Sequence, residues 1–160
     1  MAILFFDYQG KGERPESGDL VFLSGWDDAK WARLLRWSEL RRFEAGESVV
    51  LEGDTDRSLF VVIDGTLEVV FPRGRSGKAR PTEVFEPGTV LGEQAFLDAQ
   101  PRSASLHAVT GGQLLCLSVD AFDVFAAHEP ELAREFLRDL ARTLSVRLRE
   151  ANAFIREIVR

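Results

Sequence analysis

The chain has 160 residues, 45% of them hydrophobic and 29% charged, which suits one domain with its own buried core and indicates neither a fibrous repeat nor a disordered chain. A formal charge of −6 argues against a surface that neutralises several DNA phosphates. Apolar runs such as residues 59–63 are too short to cross a bilayer, and the one cysteine, Cys116, excludes an internal disulfide and fits a reducing cytoplasm.

Residues 3–8 read as a brief apolar, strand-like piece leading into a loop at Gly10, Gly12, Pro15 and Gly18. Asp7 interrupts that start and no basic lead-in precedes it, so a secretory signal is not expected. Residues 1–20 are an extension without assignment, and residues 21–160 are expected to form the domain. From Asp27 a helix is predicted: Asp27 or Asp28 supplies the cap, and Trp31, Leu34, Leu35 and Trp37 give it an apolar side.

Short segments in strand rhythm follow. Residues 49–51 end at Gly53-Asp54, residues 59–63 end at Asp64-Gly65, and Leu67, Val69 and Phe71 alternate with other residues. A strand ends at Gly92, and further strands are expected at 82–85, 103–109 and 113–119. Many short strands with glycine-containing turns predict a sandwich, roll or barrel. Asp64-Gly65 between two apolar runs is read as a hairpin turn. Arg73, Arg75, Lys78 and Arg80 have no acid between them and are read as a solvated hairpin loop rather than a nucleic-acid contact. Cys116, among Leu114, Leu115 and Leu117, reads as a buried strand thiol.

After Ser118 the pattern turns helical. Residues 120–128 predict a short helix, and Pro130 fits the first turn of a second. Leu137, Ala141, Leu144, Leu148, Ala151, Ile155 and Ile158 recur at alternating steps of four and three, the seam of a coiled coil, with Val146 and Phe154 outside it. A homodimer through this C-terminal helix is expected; the alternative is that the seam packs on the chain's own strands.

The chemistry concentrates in residues 87–106. Gly92 has no Cβ, so another group can approach its backbone closely. Residues 93–97 can form one helical turn whose free N–H groups favour an anion. Arg102, between Pro101 and the hydroxyl of Ser103, offers paired donors and a fixed positive charge. Glu93 would repel a phosphate and makes sense if it accepts from a sugar hydroxyl, so the pattern suggests a ribose phosphate. A structural Arg102–Glu93 salt bridge fits the same residues equally well.

Gly92-Glu93-Gln94-Ala95-Phe96 followed by Pro101-Arg102-Ser103-Ala104-Ser105-Leu106 resembles the phosphate-binding cassette of the cyclic-nucleotide-binding domain family, which includes sensor domains of the catabolite activator protein and of protein kinase A regulatory subunits. Gly53-Asp54, the run from Leu59 through Val69, and Glu86-Pro87-Gly88 match as well, so the resemblance runs from about Phe22 to the final helix. It implies a mainly β fold with flanking helices: a jelly-roll-like β-roll, or double-stranded β-helix, over about residues 41–119, with a long helix within 120–160 and the nucleotide between them.

Carried over residue by residue, the resemblance gives Arg102 the cyclic phosphate and Glu93 the ribose 2′-OH. Gly92 and Ala95 would border the sugar phosphate, Ser103 would touch phosphate or base, and Val69 is a candidate for the wall of the base pocket. Two positions depart from the pattern. Gln94 replaces the usual aliphatic residue and either adds a polar contact or faces solvent. Arg147 falls near the place where the activator protein presents a hydroxyl to the purine; it either meets the base or is a solvated helix charge beside Arg149 and Glu150.

The ligand expected on these grounds is cAMP, with cGMP also compatible, and no cofactor is expected. No DNA-binding domain or membrane segment is read in this chain, which is expected to act in the cytoplasm on an effector protein of unknown identity. An enzyme of the cupin type would need clustered metal ligands, whereas the only histidines are His107 and His128; a haem or iron–sulfur sensor would need more cysteines or paired axial ligands. The chain is therefore read as a non-enzymatic sensor. The alternative is a degenerate module that keeps the roll and the dimer helix without binding nucleotide.

Overall fold

In the computed structural model, residues 21–70 and 83–159 are described, and they form four helices and eight strands. Residues 1–20, Phe71 and the basic stretch Arg73, Arg75, Lys78 and Arg80 lie outside the described residues.

Helix α1 (Asp28–Leu35) starts where the sequence places it: the Asp27 side chain accepts from the Lys30 N–H, and Trp31 and Leu34 are buried. Six strands precede the next helix: β1 (Glu39–Phe43), β2 (Ser48–Val50), β3 (Leu59–Asp64), β4 (Leu67–Val70), β5 (Val84–Phe85) and β6 (Val90–Leu91). Helix α2 (Glu93–Asp98) follows, then β7 (Ser105–Ala108), β8 (Gly112–Leu117), α3 (Val119–His128) and α4 (Pro130–Ile158). One antiparallel sheet has the order β1-β8-β3-β6 and the other β2-β7-β4-β5. Consecutive strands are thus divided between the two sheets except β4 and β5, which pair directly. Flanked by helices and closed by long α4, the sheets make the expected jelly-roll-like β-roll.

The Asp64-Gly65 turn is not a hairpin. β3 pairs with β8 and β4 with β7, so the chain crosses from one sheet to the other at Gly65. Gly65 has φ +82°, and a Cβ there would lie 2.5 Å from the Gly111 carbonyl oxygen. On the facing run, a Cβ on Gly112 would lie 2.1 Å from the Asp64 carbonyl oxygen. Two strand runs bend side by side at these nested glycines, and the positive φ serves a corner instead of a reversal.

Strand β3 faces two cores. Leu59 and Val61 join Leu115 and Leu117 beneath the helices, against Phe22, Phe125 and Phe136; Phe60 and Val62 point into the roll with Leu67, Val69, Leu106 and Leu114. Burial on both faces explains its unbroken apolar run. Strand β1 has no such pattern, because Phe43 is its only buried residue.

The Ser118 hydroxyl caps α3 by accepting from the Ala121 N–H, and Pro130 opens α4. α4 spans 29 residues, about 43 Å at 1.5 Å per residue. Its first half buries Leu132, Ala133, Phe136 and Leu140 on the roll. The seam lies roughly a quarter-turn away around the helix: Leu144 is half-buried and the other six seam side chains are exposed. The seam is thus not packed on the chain's own strands.

Candidate functional site

Between the β2-β7-β4-β5 sheet, the β6–α2 segment and the second half of α4 lies a cavity of about 1240 Å³. Val69, Gly92, Glu93, Gln94, Ala95, Arg102, Ser103 and Arg147 all line it, so every side chain or glycine expected at the site faces one space. Val50, Phe85, Leu91 and Leu106 form an apolar wall on the roll side; Leu144, Leu148 and Phe154 form one on α4. Phe154, which falls outside the coiled-coil seam, belongs to this wall.

Arg102 is 5% exposed and lies at the floor of the cavity. Its Nη2 donates to Asp56 Oδ2 at 2.5 Å and to the Ser58 carbonyl at 2.6 Å, and its Nη1 donates to the Gly92 carbonyl at 3.1 Å. The guanidinium carbon lies 5.1 Å from the centre of the Phe60 ring. Among the described residues, Arg102 Nε is the one buried side-chain nitrogen or oxygen without a hydrogen-bond partner. The backbone is fixed on both sides, with Gly53 N–H donating to the Arg102 carbonyl and Arg102 N–H to the Asp54 carbonyl. Gly92, at φ +74°, is explained by the same arginine: a Cβ there would lie 2.5 Å from Arg102 Nη1.

Glu93 does not pair with Arg102. Its Oε1 accepts from Arg147 Nη1 at 2.8 Å, while Arg147 Nη2 donates to the Val90 carbonyl at 2.8 Å. Arg147 is therefore not a solvated helix charge; it ties α4 to the segment that opens α2. Ala95 is buried, and Gln94 and Ser103 are exposed at the edge of the cavity.

Asp56 was not legible in the sequence. It lies 46 residues from Arg102, in a loop with no signature, yet it is the arginine's acidic partner. Burial pushes its carboxyl up, but hydrogen bonds from Arg102 and Ser58 outweigh burial and hold it below the ordinary carboxylate value. Its side chain stays 57% exposed, so it can leave the arginine without breaking a core.

A buried cation facing an apolar cleft, with a carboxylate on the neighbouring helix, can accept an anion joined to a hydroxyl-bearing, partly apolar body. The comparisons agree with that chemistry. A model of the cyclic nucleotide-binding domain matches residues 40–129, and the chain belongs to that family. It is 33% identical over 85% of its length to glutaminase 2 of Bradyrhizobium diazoefficiens, of which it spans 21%. It is 30% identical over 74% of its length to the cyclic AMP receptor protein of Thermus thermophilus, of which it spans 52%.

Among solved structures, the catabolite activator protein of Thermus thermophilus superposes with a TM-score of 0.72 at 27% identity, over 85% of this chain and 62% of that one. A cyclic nucleotide-binding domain from Methylobacillus flagellatus gives 0.72 at 25% identity, over 81% and 72%. The domain is a cyclic nucleotide-binding regulatory module, a sensor fold rather than a catalytic one. Among the described residues no group of three or more His, Cys, Asp or Glu is placed to hold a metal ion, and no helix is long and apolar enough to cross a membrane.

Proposed function

We propose that this chain binds cAMP in the cavity beneath α4 and reports its occupancy through α3 and α4. The observation that carries the reading is the convergence of Arg102, Glu93 and the Gly92–Ala95 backbone on one space, against the apolar wall of Val69, Phe85 and Leu106. The cyclic phosphate would take the place of Asp56 on the Arg102 guanidinium, the ribose 2′-OH would donate to Glu93, and the base would lie along Val69. Ser103 and Gln94 would contact the ligand from the rim. Arg147 would act through Glu93, keeping that carboxylate aimed at the sugar. A receptor named for cyclic AMP among the relatives supports cAMP over cGMP.

Transmission follows from two links. Arg147 joins α4 to Glu93, and the Phe96 ring of α2 stands edge-on to Phe122 of α3 at 5.5 Å and lies 6.5 Å from Phe136 of α4. Rearranging α2 around a ligand would shift both helices. The exposed seam of α4 would pair with a second copy, and an effector would read the helix positions.

The Arg102–Asp56 pair, which stands where the phosphate would, favours a second reading, a module that keeps the fold and the dimer helix without binding nucleotide. Calorimetry of the chain against cAMP, cGMP and 5′-AMP separates the two. Binding of cAMP in preference to 5′-AMP, weakened by about 2–5 kcal/mol in Arg102→Ala, is the expected result; no heat from any of the three supports the second reading. For transmission, hydrogen exchange over residues 120–160 should slow on saturation with cAMP, and identical exchange would rule that mechanism out.

A further inference from the structure

Asp56 and its chain neighbour Arg57 hold different parts of the site. Asp56 holds Arg102, whereas Arg57 Nε donates to the Ala95 carbonyl and its Nη2 to the Phe96 carbonyl, both at 3.2 Å. These are carbonyls in α2, the helix that begins with Glu93.

α2 has six residues, too few to hold itself as an isolated helix. Gly92 gives it no side-chain cap, its own last turn carries no basic residue, and it ends at Ala99 in a left-handed conformation, φ +58°. Its placement therefore depends on what grips it from outside. Phe96 anchors one side among the aromatic rings of α3 and α4. Half-buried Arg57 supplies the missing cation at the carbonyl end, where positive charge is favourable.

We infer that Arg57 is a positioning residue for the ribose side of the site: by fixing the carbonyl end of α2 against the loop that fixes Arg102, it sets where the Glu93 carboxylate stands relative to the phosphate-side arginine. The inference rests on the proposal that Glu93 accepts from a ribose 2′-OH. It predicts that loss of Arg57 impairs recognition of the 2′-OH selectively and leaves the phosphate contact in place.

The test is calorimetry of the full chain with cAMP and with 2′-deoxy-cAMP. The unsubstituted protein should prefer the ribonucleotide by at least about tenfold, the scale of one hydrogen bond to a charged acceptor. In Arg57→Ala that preference should fall to about twofold or less, with affinity for the deoxynucleotide nearly unchanged. An arginine that merely stabilises the fold would weaken both ligands by the same factor; that result overturns the inference, as does a variant that discriminates like the unsubstituted protein. Arg57→Gln, which keeps most of the side-chain volume, carries the same comparison should the alanine variant not fold. If the unsubstituted protein binds both nucleotides equally, the assignment of Glu93 falls, and the inference with it.

Discussion

Arg102 and Glu93 both have partners inside the protein, and the partners differ in what ligand binding asks of them. In the proposed complex Asp56 releases the arginine, whereas Arg147 stays on Glu93 while the other carboxylate oxygen takes a hydroxyl. Asp56→Asn should therefore tighten cAMP binding, by about 1 kcal/mol or less because the pair is half-exposed, as calorimetry would read. The same pair gives stability a pH dependence of known sign. The folded-state value of Asp56 is depressed, so the pair contributes fully above the ordinary carboxylate pKa of about 3.9 and the contribution is lost as pH falls through the depressed value. The gap in urea midpoint between the unsubstituted protein and Asp56→Asn should accordingly close on acidification. At Cys116, burial raises the thiol to about 11, so it should react slowly with a disulfide reagent near neutrality until the protein is unfolded. Cys116, read as a buried strand thiol, lies on β8 but is only half-buried, whereas Arg102 and Glu93 were singled out in the sequence by residue type. Their partners were hidden because pairings across 46 and 54 residues depend on how the roll closes, which no local pattern encodes.

Among the elements, legibility followed burial. α1 was visible through its cap and α4 through its opening proline and apolar spacing, since those signals are local; α3 was read from residue 120, without its Ser118 cap. β1 was missed because four of its five side chains are not buried, and the strand exists through its pairing with β8. Gly65 marked a turn correctly, but whether a positive-φ glycine reverses a strand or bends it is decided by Gly111 and Gly112, which pack against it at the start of the neighbouring strand β8. In the proposed mechanism the element that links site to helices is α2, through Phe96. That ring is 5% exposed, so Phe96→Ala should cost about 3–5 kcal/mol of stability in urea denaturation. Where the variant remains folded, it should also reduce the effect of cAMP on exchange in α3 and α4.

For the molecule as a whole, α4 carries two apolar faces with different uses. One packs on the roll and then roofs the cavity; the other is exposed at Leu137 and Ile155. Leu137→Glu with Ile155→Glu should shift a dimer to monomer in sedimentation equilibrium while the β-roll stays folded, because neither side chain belongs to either core or lines the cavity. The general form of the protein, a roll closed by a long helix, could be read from motifs in the right order. The internal engagement of the cavity's cation could not. The measurement closest to the central claim is a crystal structure of the full chain grown with saturating cAMP. It should show the cyclic phosphate on the Arg102 guanidinium, Asp56 turned away to solvent, and Glu93 within hydrogen-bond distance of the ribose 2′-OH. Arg102 still bonded to Asp56 and Ser58, with the nucleotide elsewhere or missing from the cavity, would contradict it.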